Sequence, residues 1–443
     1  MKNDGFRCAL VIRVALLGWA VLGLEAHNVK NGSCPLRNAT DVPAAALEKE
    51  AVSRLPSNAT DLLQVKIPSM PSKIEHLLHE RWDELDFDGR TMLSRAASPA
   101  AYEFPHARDT FVSHLRGTFG ILAAWDQPPA VKRTGLLHTA YSGDLFQFYL
   151  YDAASSSDRA KVASVIGSEA EALTWLFGTV NRDMLCNFRN SVTKAESAST
   201  IEGPAVITHR LNGTITMSER DIANILMVTI ADYLDQMVDT NGWKDHHQVD
   251  VPDVLYPGDG KPAVALYWMS SVCRAIRDHL EVVPLVFRRC TEVLSHADET
   301  AARDRYWDVT LHEKKMTADR QIELLRESVS LNPHVGEPHL LLSQLYFRQG
   351  DYLAAATEAR ESLEKLYVLA SAWDKRRSYG QWVGFARVML LRANRRLLDM
   401  SHSLPVTGIE NAGGLPLVSL SSLFQTSKAK EMTSATITEI STF

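Results

Sequence analysis

The stretch RTGLLHTAYSGDLF, residues 133–146, closes a short apolar run with His138 and follows it with Thr139, Tyr141 and Asp144. His114 precedes it by 24 residues, and IADYLDQM further on sets Asp232 four residues before Gln236. Imidazole nitrogen and carboxylate oxygen are the groups that bind divalent ions or carry protons near neutral pH. The same residues have a plainer use, because a histidine at the end of an apolar run also serves as a core or capping residue. The elements that carry them decide whether they can meet.

HARDTFVSHLRGTFGILAAWD places Phe111, Val112, Leu115, Phe119 and Leu122 at helical spacing, with His114 beside that apolar face. Pro128 and Pro129 end this helix, and PAVKRTGLLH starts a short second one that finishes at His138. TMSERDIANILMVTIADYLDQM opens with Ser218 as N-cap and Asp221 three residues later. Its stripe is Ile222, Ile225, Leu226, Ile230 and Tyr233, with Gln236 inside the arc and Asp232 on its margin. A polar pair four residues apart beside a core face is a natural place for a site residue. Nearly every periodic segment has helical spacing and strand-like alternation is scarce, so the expected fold is all-α.

The 443 residues are 45% hydrophobic and 23% charged, enough for two globular domains with buried cores. The net charge of −6 and the lack of a long basic run argue against a nucleic-acid partner. Lys2, Arg7 and Arg13 precede the apolar run Val14 to Leu24, which suits a signal peptide (residues 1–26) and is too short to span a bilayer; the alternative is a signal anchor. Glycosylation triplets start at Asn31, Asn38, Asn58 and Asn212. Together these features predict entry into the secretory pathway, to a secreted or luminal destination. Cys34, Cys186, Cys273 and Cys290 then remain, an even number whose pairing stays open beside the option of buried thiols.

Residues 27–72 read as a flexible leader and 401–443 as a disordered, Ser/Thr-rich tail. Residues 321–366 carry Leu342, Ser343, Tyr346, Gly350, Tyr352 and Ala355 at the spacing of a tetratricopeptide helix pair, and this region resembles that repeat. SYGQWVGFARVMLLRANRRLL would pack on it as a cap.

VSHLRGTFGILAAWDQPPAVKRTGLLH followed by IADYLDQM resembles, in order and spacing over residues 104–240, the HD superfamily and above all the RelA/SpoT-type nucleotide hydrolases. VIGSEAEALTWLFGTV, between them, resembles the next helix of those enzymes. The resemblance implies that His114, His138 and Asp232 hold one divalent metal. Thr139 stands at the position of the family aspartate, and Gln236 where asparagine is usual. HARDTFVSHL, LLHTAY, IGSEAEALTWLFG, GEPH, a Gly-Asp-Tyr repeat and SAWDKRRS also resemble an uncharacterised domain-of-unknown-function family of plants, algae and bacteria, over about residues 75–396. In that family a threonine or serine after the histidine is the pattern. The architecture implied is an HD-like helical domain, 75–260, followed by a tetratricopeptide-like helical region, 261–400.

Thr139 offers a neutral hydroxyl where a charged oxygen would sit, so His114, His138 and Asp232 supply three ligands and one negative charge. That set still suits zinc, manganese or iron and leaves positions open for water and substrate. His106 and Asp144 could complete the shell or bind substrate, and Tyr141 could donate a proton. Two functions follow as expectations. One is a binding or scaffold protein with a degenerate HD-like core and a protein or peptide partner on the repeat; the other is a metal-dependent phosphohydrolase. The sequence has no P-loop, strand-borne G-x-G-x-x-G or G-x-S-x-G elbow, which sets aside the nucleotide cradle and the serine hydrolase.

Overall fold

In a computed structural model, residues 65–86, 105–106, 109–141, 150–182, 203–236, 261–290 and 294–403 are described, together with 92, 94–95, 185 and 238–239. The signal, most of the leader, most of the tail, Asn31, Asn38, Asn58 and Asp144 lie outside them. Fourteen α-helices among the described residues make the chain mostly helical, as periodicity predicts.

The helices are α1 (Ser72–Leu78), α2 (Trp82–Leu85), α3 (Phe111–Ala124), α4 (Pro129–Leu137), α5 (Ser156–Ile166), α6 (Ser168–Thr179) and α7 (Glu219–Gln236). They continue as α8 (Leu266–Ile276), α9 (Leu285–Cys290), α10 (His296–His312), α11 (Ala318–Leu331), α12 (Glu337–Arg348), α13 (Tyr352–Leu369) and α14 (Tyr379–Ser403). No helix among the described residues is long and apolar enough to cross a membrane.

Among the described residues, three small antiparallel pairs interrupt the helices: β1 (Pro105–His106) with β2 (Asp109–Thr110), β3 (Ala205–His209) with β4 (Gly213–Met217), and β5 (Val238–Asp239) with β6 (Lys261–Pro262). The β3–β4 hairpin goes beyond the all-helical expectation. Val206, Ile207, Thr208 and then Thr214, Ile215, Thr216 are β-branched runs on either side of Asn212-Gly213, a dipeptide that favours tight hairpin turns. Read only as a glycosylation triplet, that dipeptide hides its turn chemistry. Asn212 is exposed near the hairpin tip.

α3, α4 and α7 supply the elements that matter for the site. α3 starts one residue after Thr110, whose hydroxyl accepts from Ser113 N, and α4 starts with Pro129 in the first turn, where a missing N–H costs nothing. α7 is capped as expected, with Ser218 Oγ accepting from Asp221 N at 3.1 Å. Ile222, Ile225, Leu226 and Ile230 of its apolar stripe are buried along with Asn224, Asp232 and Asp235, while Tyr233 is partly buried, so the polar residues stand inside the packed interior. α3 and α4 approach closely at Gly135, where a Cβ would lie 2.5 Å from Leu122 Cδ1.

The helices beyond residue 260 also bear on α7. Glu299 of α10 is fully buried and caps α8 from a distance: Oε1 accepts from Ala265 N and Leu266 N, Oε2 from Tyr267 N. These amides belong to a helix start and have no partner within the helix. Glu299→Ala is therefore expected to lower unfolding free energy by about 3 kcal/mol, the cost of stranding several buried donors. A loss under about 1 kcal/mol in chemical denaturation would show that water replaces the carboxylate without penalty.

α12 and α13 form the helix pair expected within 321–366. Gly350, at φ +82°, turns the chain between them, and Ser343 Oγ donates to Ala355 O at the crossing. After α13, the segment 371–378, SAWDKRRS, is buried at Ser371, Trp373, Asp374 and Lys375. Lys375 Nζ donates to Leu234 O at 2.7 Å and to Ser371 Oγ at 2.9 Å. Leu234 lies in the last turn of α7, where carbonyls lack an intrahelical donor and a cation is favoured.

Candidate metal centre

His114, in the second turn of α3, His138, at the C-terminal cap of α4, and Asp232, one turn from the end of α7, each present a ligand atom within 4.8 Å of the others. His114 Nε2 lies 3.2 Å and His138 Nε2 3.8 Å from Asp232 Oδ1. Two donors about 2.1 Å from one ion at a tetrahedral angle would be about 3.4 Å apart, so the spacing is that of a shared ion. All three residues are buried.

The imidazoles are held from behind. His138 Nδ1 lies 2.7 Å from Gly135 O. A carbonyl only accepts, so Nδ1 carries the proton and the neutral ring presents its Nε2 lone pair to the Asp232 carboxylate. Two electron-rich atoms that face each other in a buried site call for a cation between them. His114 Nδ1 lies 2.8 Å from Asp235 Oδ2, one turn along α7 from Asp232. Metal-binding histidines are oriented this way, with the second nitrogen donating to a carboxylate or carbonyl. Gly117 makes room for the arrangement, since a Cβ there would overlap Asp235 Oδ1.

Charge around Asp232 is balanced by several groups. Gln236 Nε2 donates to Oδ1 at 2.7 Å, and Arg182 Nη1 lies 3.5 Å from Oδ2. Burial disfavours the charged carboxylate, but protonated His114 and Arg182 outweigh it and hold Asp232 well below the usual carboxylate range. Burial also pulls His114 down, yet the carboxylates of Asp232 and Asp235 lift it to about 9. Burial dominates at His138 and lowers it to about 4, which keeps that ring neutral. Without an ion, protonated His114 and Arg182 offset the two aspartates. An ion would take the place of the His114 proton.

The donor set therefore fits a divalent metal: two neutral-capable imidazoles, one carboxylate and an outer shell already in hydrogen-bonded order. Gln236 belongs to this shell through Asp232. Tyr141 lies apart in its bonding: its hydroxyl donates to Glu171 Oε1 at 2.7 Å, and Arg159 holds the same carboxylate through Nε and Nη2. Thr139 is partly exposed and makes no hydrogen bond to the three ligands. His106 sits in β1, opposite Asp109. Asp235 and Arg182 are not visible as site residues in the sequence. Asp235 pairs with a histidine 121 residues away, and Arg182 follows α6 with no pattern around it; the one available signal is that Asp235 shares a helix face with Asp232 at i+3.

A family model described as a domain of unknown function (DUF6817) matches residues 96–182. The match supports the resemblance to an uncharacterised domain family in that stretch, which holds His114, His138 and Arg182 and ends before Asp232. No curated protein and no solved structure matches the chain.

Proposed function

We propose that the chain is a metal-dependent hydrolase of the phosphohydrolase kind, with His114, His138 and Asp232 as the ligands of one zinc, manganese or iron ion. The observation that carries this reading is the pair of Nε2 atoms turned on one buried carboxylate while each Nδ1 is anchored to an acceptor. The order of the three residues along α3, α4 and α7 supports the HD-like likeness of residues 75–260. A bound ion would supply Lewis acidity and a water of lowered pKa. The chain's own residues do the rest: Asp235 and the Gly135 carbonyl fix the imidazole orientations, Gln236 steadies Asp232, and burial keeps the site's dielectric low. The signal-like N-terminus and the four glycosylation triplets favour placing this chemistry in the secretory pathway.

The test is metal analysis of the purified protein beside His138→Ala. We expect about one ion per wild-type chain and loss of most of it in the variant. A wild type that stays metal-free after incubation with each of the three ions would refute the reading.

A second reading, a protein or peptide partner on the tetratricopeptide-like region, is favoured by one observation. Phe385, Val388 and Leu391 recur at i, i+3 and i+6 on α14 and are 45%, 50% and 53% exposed. Such a stripe on a long helix is the usual material of a helix-in-groove contact.

A further inference from the structure

Among the described residues of the metal centre, Arg182 is a charged group that its one ion pair does not fully satisfy. Its side chain is only 12% exposed. Nη1 stands 3.5 Å from Asp232 Oδ2 but forms no hydrogen bond, and both Nε and Nη1 are buried without an acceptor. Charged N–H groups removed from water normally find acceptors, because leaving them unmade is costly. The guanidinium plane is held in place by Phe177, whose ring centroid lies 4.3 Å from Arg182 Cζ. Phe177 also packs edge-on against His138, at 5.3 Å between ring centroids. One aromatic ring thus positions the arginine and a metal ligand together.

We propose that Arg182 binds an anionic oxygen of the substrate's phosphoryl group beside the ion. This rests on the metal-centre reading above and adds a residue to it. With both imidazoles neutral as ligands, Asp232 and Asp235 carry two negative charges, and Arg182 with a divalent ion carries three positive ones. With the ion bound, these described groups sum to one net positive charge and leave two donor nitrogens, Nε and Nη1, unused on a group suited to phosphate oxygens. The ion pair with Asp232 at 3.5 Å leaves those donors unused. Arg182 acts here as a substrate-binding residue, in contact with the anion.

The experiment is calorimetric titration of the full chain with inorganic orthophosphate, metal-free and zinc-loaded, for wild type, Arg182→Gln and Arg182→Lys, with zinc content measured on each. The expected result is phosphate binding to the loaded wild type, a loss of about 10- to 100-fold in Arg182→Gln, the size of one or two charge-assisted hydrogen bonds, and a smaller loss in Arg182→Lys. Zinc content should stay stoichiometric in both variants. Phosphate affinity unchanged in Arg182→Gln overturns the proposal, and so does zinc loss in that variant with folded circular-dichroism spectra, which would make Arg182 only a partner of Asp232. If the wild type takes up no zinc, the metal reading fails separately. The metal-free titrations then decide Arg182 on their own, because an arginine-dependent phosphate site sustains the anion role and its absence ends it.

Discussion

Asp232→Asn is expected to weaken zinc binding by more than about 100-fold, since loss of even an outer-shell partner costs about 10- to 100-fold and Asp232 contributes the charge of the His114–His138–Asp232 set. The replacement keeps shape and removes the anion on which His114 and His138 converge. The same substitution should flatten the pH profile of binding. In the wild type His114 is lifted to about 9, so at neutral pH an incoming ion must displace a proton from it. Affinity should rise about tenfold per pH unit toward about pH 9 and level above it, because protons stop competing once His114 is neutral. In the variant, one of the two carboxylates that raise His114 is gone and the dependence should end at a lower pH. Titrations at a series of pH values in two buffers of different ionisation heat read both effects; a pH-independent wild-type affinity would contradict the linkage.

Asp374→Ala is expected to cost about 3–5 kcal/mol of stability, the range for removing one partner of a buried charged pair. Asp374 is fully buried and accepts from Arg376 Nε and Nη2, from the Arg376 backbone N–H and from Tyr306 OH. Its own carbonyl accepts from Trp382 Nε1 at 2.8 Å, and its backbone N–H donates to the buried Glu337 at 3.1 Å. Removing the carboxylate strands a mostly buried guanidinium beside Trp307 and a buried phenol. Tyr306→Phe is the control: it removes one donor, leaves the Arg376 contacts to the carboxylate in place and should cost about 1 kcal/mol. Urea unfolding would show the gap between the two variants, and equal losses would mean that the carboxylate and Arg376 contribute little.

Legibility in the sequence follows the range of the interaction. Helices α3, α4 and α7 are visible because their apolar positions repeat every three or four residues, and the order His114, His138, Asp232 comes with them. The same periodicity misjudges depth: His114 reads as marginal on its helical wheel yet is buried, because α7 lies across that side of α3. Partners far apart in the chain leave no local trace, so neither Asp235 behind His114 nor Glu299 over the start of α8 can be foreseen. Arg182 sits outside any periodic stretch, and its meaning comes only from Phe177 and Asp232 around it. The SAWDKRRS string stands out as a likeness, but its physical use, a buried charge network that also reaches α7, depends on partners such as Tyr306 and Leu234 that are far away in the chain.

The tie from Lys375 to the Leu234 carbonyl makes the helix that bears Asp232 depend on a stretch far along the chain. The recognisable segment, residues 96–182, carries two histidines without the anion they face, and the helix that brings the anion is finished at its end by an ammonium from far along the chain. Moved into another protein, the segment would bring two of the three ligands of the proposed metal site and leave Asp232 behind. A change in the distal helices that moved Lys375 would be felt at Leu234, two residues from Asp232.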